Sequence, residues 1–221
     1  MDRHPGRRRA PDGSVTATGQ SGPVLLTGFE PFDGRDVNAS WAAVERVVVG
    51  WSDPVELVGL QLPVSFRGAR QALRTAVAAH RPRLVVCVGE AAREVVGVER
   101  IAVNVIDARI ADNDGSRPVD LPVIAGAPDA YFSTLPLRAC VAAAVAAGVP
   151  AAISESAGTY VCNATFFALM HLVARGEPAE RVRAGFVHVP LVPEGAGALG
   201  GAMATATAAQ GLEAVVRAAL G

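Results

Sequence analysis

Short, nearly all-apolar runs rich in β-branched residues recur along this chain, and helix-like patterns separate them. PVLLTG at 23–28, RLVVCVG at 83–89 and AGFVHV at 184–189 are the clearest. A strand with one face in water alternates apolar and polar residues, whereas a strand buried on both faces reads as a continuous apolar run. Between the runs, apolar residues fall at three- and four-residue spacing, the helical period. Strands alternating with helices give a parallel sheet covered on both faces, an α/β architecture.

In chain order, strand 23–28 ends at Gly28, and 29–34 is a loop because Pro31 and Asp33–Gly34 break any regular element. Asn38 is placed to cap a helix whose apolar face is Trp41, Val44 and Val47. A strand over 55–62, a helix over 66–79 and the core strand over 83–89 follow. Another short strand begins at Glu99 and runs to 104, and Asp112 to Gly115 form an emphatic turn. The proline-bearing stretch 116–133 predicts a long surface excursion. Then come a helix over 135–147, a strand over 151–154, a helix over 162–175, a strand over 184–189 and an alanine-rich helix over 197–220.

The chain has 221 residues, enough for one sizeable core, so 23–221 is expected to form a single domain. Lysine and arginine number 20 against 21 acidic residues, which gives no basic surplus for nucleic acid and no charge block for a membrane surface. The apolar run 139–153 is broken by Gly148 and Pro150 and is too short to span a bilayer, which needs roughly 20 residues. Residues 1–22 are basic and rich in Gly, Pro, Ser and Thr, with no apolar stretch after the arginines. They read as a disordered tail and not as a secretory signal. Cys87, Cys140 and Cys162 are odd in number and too widely spaced for a zinc site, which suits a reducing cytoplasm. Asp107, Asp112 and Asp114 could be metal ligands, but Asp–Asn–Asp–Gly is more often a turn.

Cys162 stands out from the other two cysteines. The strand at 151–154 leads into Ser156, Gly158 and Thr159, which are turn and cap residues, so Cys162 lies in the first turn of a helix. Unpaired N–H groups and the helix dipole there favour a thiolate and offer oxyanion donors. Ligands of such sheets bind beyond the strand ends. His188 ends the next strand and Glu99 follows the loop after strand 83–89, so nucleophile, base and orienting carboxylate can meet. Each has a plainer alternative: a buried small thiol, a hydrogen-bonded core histidine, and a surface Glu99–Arg100 pair.

Six segments then carry a resemblance: LTGFEPF at 26–32, VNASW at 37–41, VERIAVN at 98–104, ARIADN at 108–113, AGTYVCN at 157–163 and GFVHVP at 185–190. In this order, the chain resembles the pyroglutamyl peptidase I (pyrrolidone-carboxylate peptidase) family of cysteine peptidases. The resemblance implies a three-layer α/β/α sandwich of the phosphorylase/hydrolase-like type, often tetrameric. It implies Cys162, His188 and Glu99 as the catalytic triad, with Arg109 and the Cys162 N–H at the oxyanion. Phe29 and Phe32 would enclose the pyroglutamyl ring, with Asn38, Glu90, Tyr160 and Val161 beside it. The implied partners are N-terminally pyroglutamylated peptides, with no metal or cofactor, in a cytoplasmic dimer or tetramer. Alternatives are a thiol hydrolase of another small N-acyl or lactam group, or a binding homologue with little turnover.

The loop 89–97, GEAAREVVG, departs from the family's Gly–Gln–Ala–Gly–Gly–Arg and is one residue shorter. Leu191 replaces the family's usual tyrosine. Glu90 stands where the family has a neutral glutamine, and an ionised carboxylate only accepts hydrogen bonds. Beside Cys162 it would raise the thiol's pKa and oppose an oxyanion, so Glu90→Gln is expected to increase turnover of a neutral lactam.

Overall fold

Side chains two residues apart on a strand share a face, and the core divides accordingly. The computed structural model describes residues 22–176, 182–193 and 201–221. In β1 (Val24–Phe29) Val24 and Leu26 join one apolar cluster and Leu25 the other. In β3 (Leu84–Ala91), Leu84, Val86 and Val88 oppose Val85 and Cys87. In β8 (Arg183–Pro190), Val187 and Val189 oppose Ala184 and Phe186. The first cluster is completed by α1 (Ala39–Gly50), α3 (Leu137–Ala146) and α5 (Thr205–Leu220). The second is completed by α2 (Gly68–His80) and α4 (Val161–Arg175). The fold is therefore a three-layer α/β/α sandwich. Truncating a fully buried residue such as Leu25 to alanine would cost about 2–5 kcal/mol.

With β2 (Leu57–Leu62), β4 (Val96–Glu99) and β7 (Ala151–Ser154), the main sheet runs β2-β1-β3-β8-β4-β7. Strands β2, β1, β3 and β8 are parallel, and β4 and β7 are parallel to each other. Between β8 and β4 the direction reverses, with Gly97 opposite His188 and Val98 opposite Val187. A second, two-stranded sheet pairs β5 (Ile101–Val103) with β6 (Ala130–Phe132).

Several expectations change. The last two residues of the expected loop 89–97, Val98 and the start of the expected strand at Glu99 are in fact β4, buried throughout. Four residues with a glycine among them are too few to show a period. The expected excursion over 116–133 contains β6 and a bridge from Leu121 to Ile106. The C-terminal helix starts at Thr205, because Gly201 has φ +65° and Ala202 bridges to Leu191. The first four residues of the expected helix, 197–200, lie outside the described residues. So does the expected tail except Gly22, whose carbonyl accepts a hydrogen bond from Arg83.

Candidate active site

The start of α4 is held from two sides. Gly158 adopts φ +76°, which a side chain would resist, and its N–H donates to Ser156 Oγ. Thr159 and Asp107 exchange two hydrogen bonds: Asp107 N–H to the Thr159 carbonyl at 3.0 Å and Thr159 Oγ1 to the Asp107 carbonyl at 3.1 Å. Asn163 accepts from Val103 N–H and donates to the carbonyls of Val103 and Val105, which pins the first turn to β5. The N-cap residue Tyr160 supplies no side-chain cap, and Ala164 N–H makes the bond to its carbonyl. The N–H groups of Val161, Cys162 and Asn163 precede that bond and are open to an anion.

His188 is flanked by glycine on both neighbouring strands, Gly89 on β3 and Gly97 on β4. Over Gly89 lies the candidate nucleophile: a Cβ built on that residue would stand 2.8 Å from Cys162 Sγ. Over Gly97 lies a guanidinium: a Cβ there would stand 2.6 Å from Arg93 Nη1. The fully buried Glu99 reaches from two residues along β4 and accepts from His188 Nδ1 at 2.7 Å. A carboxylate accepts, so Nδ1 carries the proton and Nε2 is the free base. Arg93 Nη1 donates to the same oxygen at 2.8 Å. Arg100, the expected surface partner of Glu99, pairs instead with Glu155.

Electrostatics set the resting protonation. Burial pushes the Cys162 thiol up to about 12, and the charges of Glu90 and Glu99 add to this while Arg93 opposes it. Burial thus works against the expected thiolate. Burial also lowers the His188 pKa; Glu99 opposes this through its hydrogen bond and charge, and Arg93 reinforces it. Both shifts favour a neutral thiol beside a neutral imidazole. Cys87 and Cys140 are fully buried and raised to about 12 and about 11 by burial.

Cys162 opens onto a cavity of about 450 Å³ including its mouth, lined by Phe29, Phe32, Arg35, Asn38, Val64, Glu90, Tyr160 and Val161. The Phe32 and Tyr160 rings lie 5.5 Å apart, and Tyr160 meets Phe66 edge-on at 5.2 Å. Tyr160 OH donates to the Ala111 carbonyl. Asn38 spends its polar atoms on the protein: Oδ1 accepts from the Ser40 N–H and hydroxyl, and Nδ2 donates to the Glu30 carbonyl. It caps α1, as expected, and forms wall. Glu90 faces the cavity but is compensated. One oxygen accepts from Ala39 N–H at 2.7 Å and the other pairs with Arg35 at 2.6 Å. Burial still raises its pKa, against Ala39 and Arg35.

Arg109 is not brought to this wall. It is exposed, makes no hydrogen bond or ion pair among the described residues, and acts on the site only as a charge near Tyr160. The ties of its segment to the loop before Cys162 run through Asp107 and Ala111. Asp112 proves a turn anchor, accepting from Phe66, Asp114 and Ser116 N–H groups. Arg35 and Arg93 were not singled out from the sequence, because neither stands in one of the six segments.

Comparison with known proteins bears on the family and the fold. The family profile for pyroglutamyl peptidase matches residues 23–221. A pyrrolidone-carboxylate peptidase of Gloeobacter violaceus is 48% identical over 196 residues, 87% of this chain and 94% of that protein. One of Streptomyces coelicolor is 48% identical over 198 residues, 89% and 91% of the two chains. Among solved structures, pyroglutamyl peptidase I of Bacillus amyloliquefaciens superposes with a TM-score of 0.85 at 37% identity, covering 90% of this chain and 97% of its own.

Proposed function

The chain belongs to the pyroglutamyl peptidase family of cysteine exopeptidases, and we propose that Cys162, His188 and Glu99 remove an N-terminal pyroglutamyl residue from peptides. The observation that carries this is Cys162 Sγ stacked over Gly89, the strand neighbour of a histidine bonded to a buried glutamate. The flat, uncharged lactam enters between Phe29, Phe32 and Tyr160, an apolar cavity with few polar groups. His188 Nε2 takes the thiol proton as sulfur attacks the pyroglutamyl carbonyl carbon. The N–H groups at the start of α4 hold the oxyanion. The imidazolium, stabilised by Glu99, protonates the leaving amine as the C–N bond breaks and the thioester forms. Water, deprotonated by His188, then attacks the thioester, and the C–S bond breaks to return the thiol.

Because the thiol rests protonated, proton transfer waits for substrate. The acid limb of kcat/KM reports His188 in the free enzyme and is expected below its ordinary value of 6.5. Three free cysteines suit a cytoplasmic setting, and no described helix is long and apolar enough to cross a membrane. The dimer or tetramer rests on the family resemblance, and light scattering tests it. For the activity, a fluorogenic pyroglutamyl amide is compared with prolyl and N-acetyl amides, with and without iodoacetamide. Turnover of the pyroglutamyl amide alone, lost in step with alkylation of Cys162, is expected. First labelling at Cys87 or Cys140, or preference for another acyl group, would overturn the assignment.

A further inference from the structure

The oxygen of Glu99 that holds His188 is shared. Arg93, on the turn between β3 and β4, donates from Nη1 to Glu99 Oε1 at 2.8 Å and to Ser154 Oγ at 2.9 Å. Its Nη2 donates to the Ser156 carbonyl at 3.1 Å. Ser154 is the β7 neighbour of Glu99, and Ser156 opens the turn that leads to Cys162. One guanidinium thus joins the carboxylate, the strand beside it and the nucleophile's loop. The lane it occupies exists because position 97 is glycine, since a Cβ there would collide with Nη1.

Charge accounting gives the contact its meaning. Glu99 is fully buried, and its Oε2 has no partner among the described residues. A buried carboxylate must be balanced by a neighbouring cation or lose its charge. Two groups touch it. If His188 alone balanced it, the imidazole would hold a proton at rest and could not accept one from Cys162. Arg93 is a permanent cation and leaves the imidazole free.

We propose that Arg93 is a positioning residue for catalysis: it locks Glu99 against His188, supplies the carboxylate's counter-charge, and ties both to the loop of Cys162. The charged and titratable groups facing the pair are Glu99 from β4, Arg93 from the β3–β4 turn, and Glu90 and Cys87 from β3. Arg93 is the cation among them. Its removal leaves Glu99 to draw a proton onto His188, so His188 titrates at higher pH.

This inference rests on the proposed peptidase chemistry for its kinetic readout and not for its spectroscopic one. Arg93→Met and Arg93→Lys are compared with wild type by the pH profile of pyroglutamyl-amide hydrolysis and by NMR titration of the His188 ring, assigned with a His188→Ala sample. In Arg93→Met, kcat is expected to fall about 10–100-fold with KM within about two-fold, and the acid limb and the ring titration to move to higher pH together. Arg93→Lys keeps a cation, so its titration stays near wild type while kcat recovers in part. On a Glu99→Gln background, adding Arg93→Met should cost no more than about two-fold. Unchanged His188 titration in a folded Arg93→Met protein, or equal cost on both backgrounds, would overturn the proposal. Should the methionine variant not fold, Arg93→Gln is read by the same criteria. Absent turnover in wild type would sink the peptidase reading alone, since the ring titration still decides the role of Arg93.

Discussion

The two flanks of His188 solve the same steric problem for opposite ends. On the β3 side, Gly89 makes room for a neutral, half-open nucleophile whose sulfur must meet substrate. On the β4 side, Gly97 makes room for a guanidinium that is paired with a buried carboxylate, and neither leaves the protein. The first space is bounded by the Phe186 ring as well as by sulfur, with ring atoms 2.9 and 3.0 Å from a built Cβ. The second is bounded by the tip of a long side chain. Access on one flank is therefore rigid, and balance on the other is adjustable.

The largest expected effect comes from the balancing flank. Glu99→Gln removes the charge that stabilises the His188 imidazolium and puts an amide, which can donate as well as accept, where a carboxylate only accepts, so the His188 tautomer is no longer fixed. A fall in kcat of about 10³–10⁴-fold is expected, in line with the loss of a triad carboxylate elsewhere. Steady-state kinetics alongside a melting curve checks it; an unaltered kcat would return Glu99 to a purely structural role. The glycines come next and test the contrast directly. Gly89→Ala must displace Cys162 or Phe186, and a loss of about 10²-fold in kcat/KM is expected. Gly97→Ala displaces a side-chain tip, and about ten-fold is expected, no worse when combined with Arg93→Met. Equal losses at the two glycines would break the rigid-versus-adjustable distinction.

The smallest effect sharpens the access flank. Glu90→Gln removes a negative charge that raises the Cys162 thiol, while the amide oxygen can still accept from Ala39 N–H. Iodoacetamide labelling of Cys162 and kcat/KM for a pyroglutamyl amide should each rise by about two- to five-fold. Equal or lower values would show that the Arg35–Glu90 pair serves the pocket better charged than neutral.

Much of this arrangement is legible in the chain because its signals are local. The apolar runs of β1, β3 and β8 and the turn residues before Cys162 each sit within a few positions of what they specify. The cap at Asn38 is legible for the same reason. Strand β4 is not, since its four residues offer no period and its partners, β7 and β8, arrive 55 or more residues later. The same distance hides Arg93, whose contacts to Ser154 and Ser156 span 61 and 63 residues. Arg35 is hidden likewise, because its partner Glu90 lies beyond two helices and a strand. The thiolate expectation meets a quantity no spacing encodes: burial of Cys162, which raises its pKa. Arg109 stands within one of the six segments yet its side chain is exposed, because a place in a motif does not fix where a side chain points.

The place of β8 in the sheet also bears on how the protein is made. Last of the strands in sequence, it lies between β3 and β4 and joins β2-β1-β3 to β4-β7. Until it emerges from the ribosome, the two half-sheets have no strand between them. Cys162 then exists without the histidine that would activate it. On the proposed mechanism, a nascent or prematurely ended chain is chemically unarmed, and reactivity comes only when the last described strand closes the sheet.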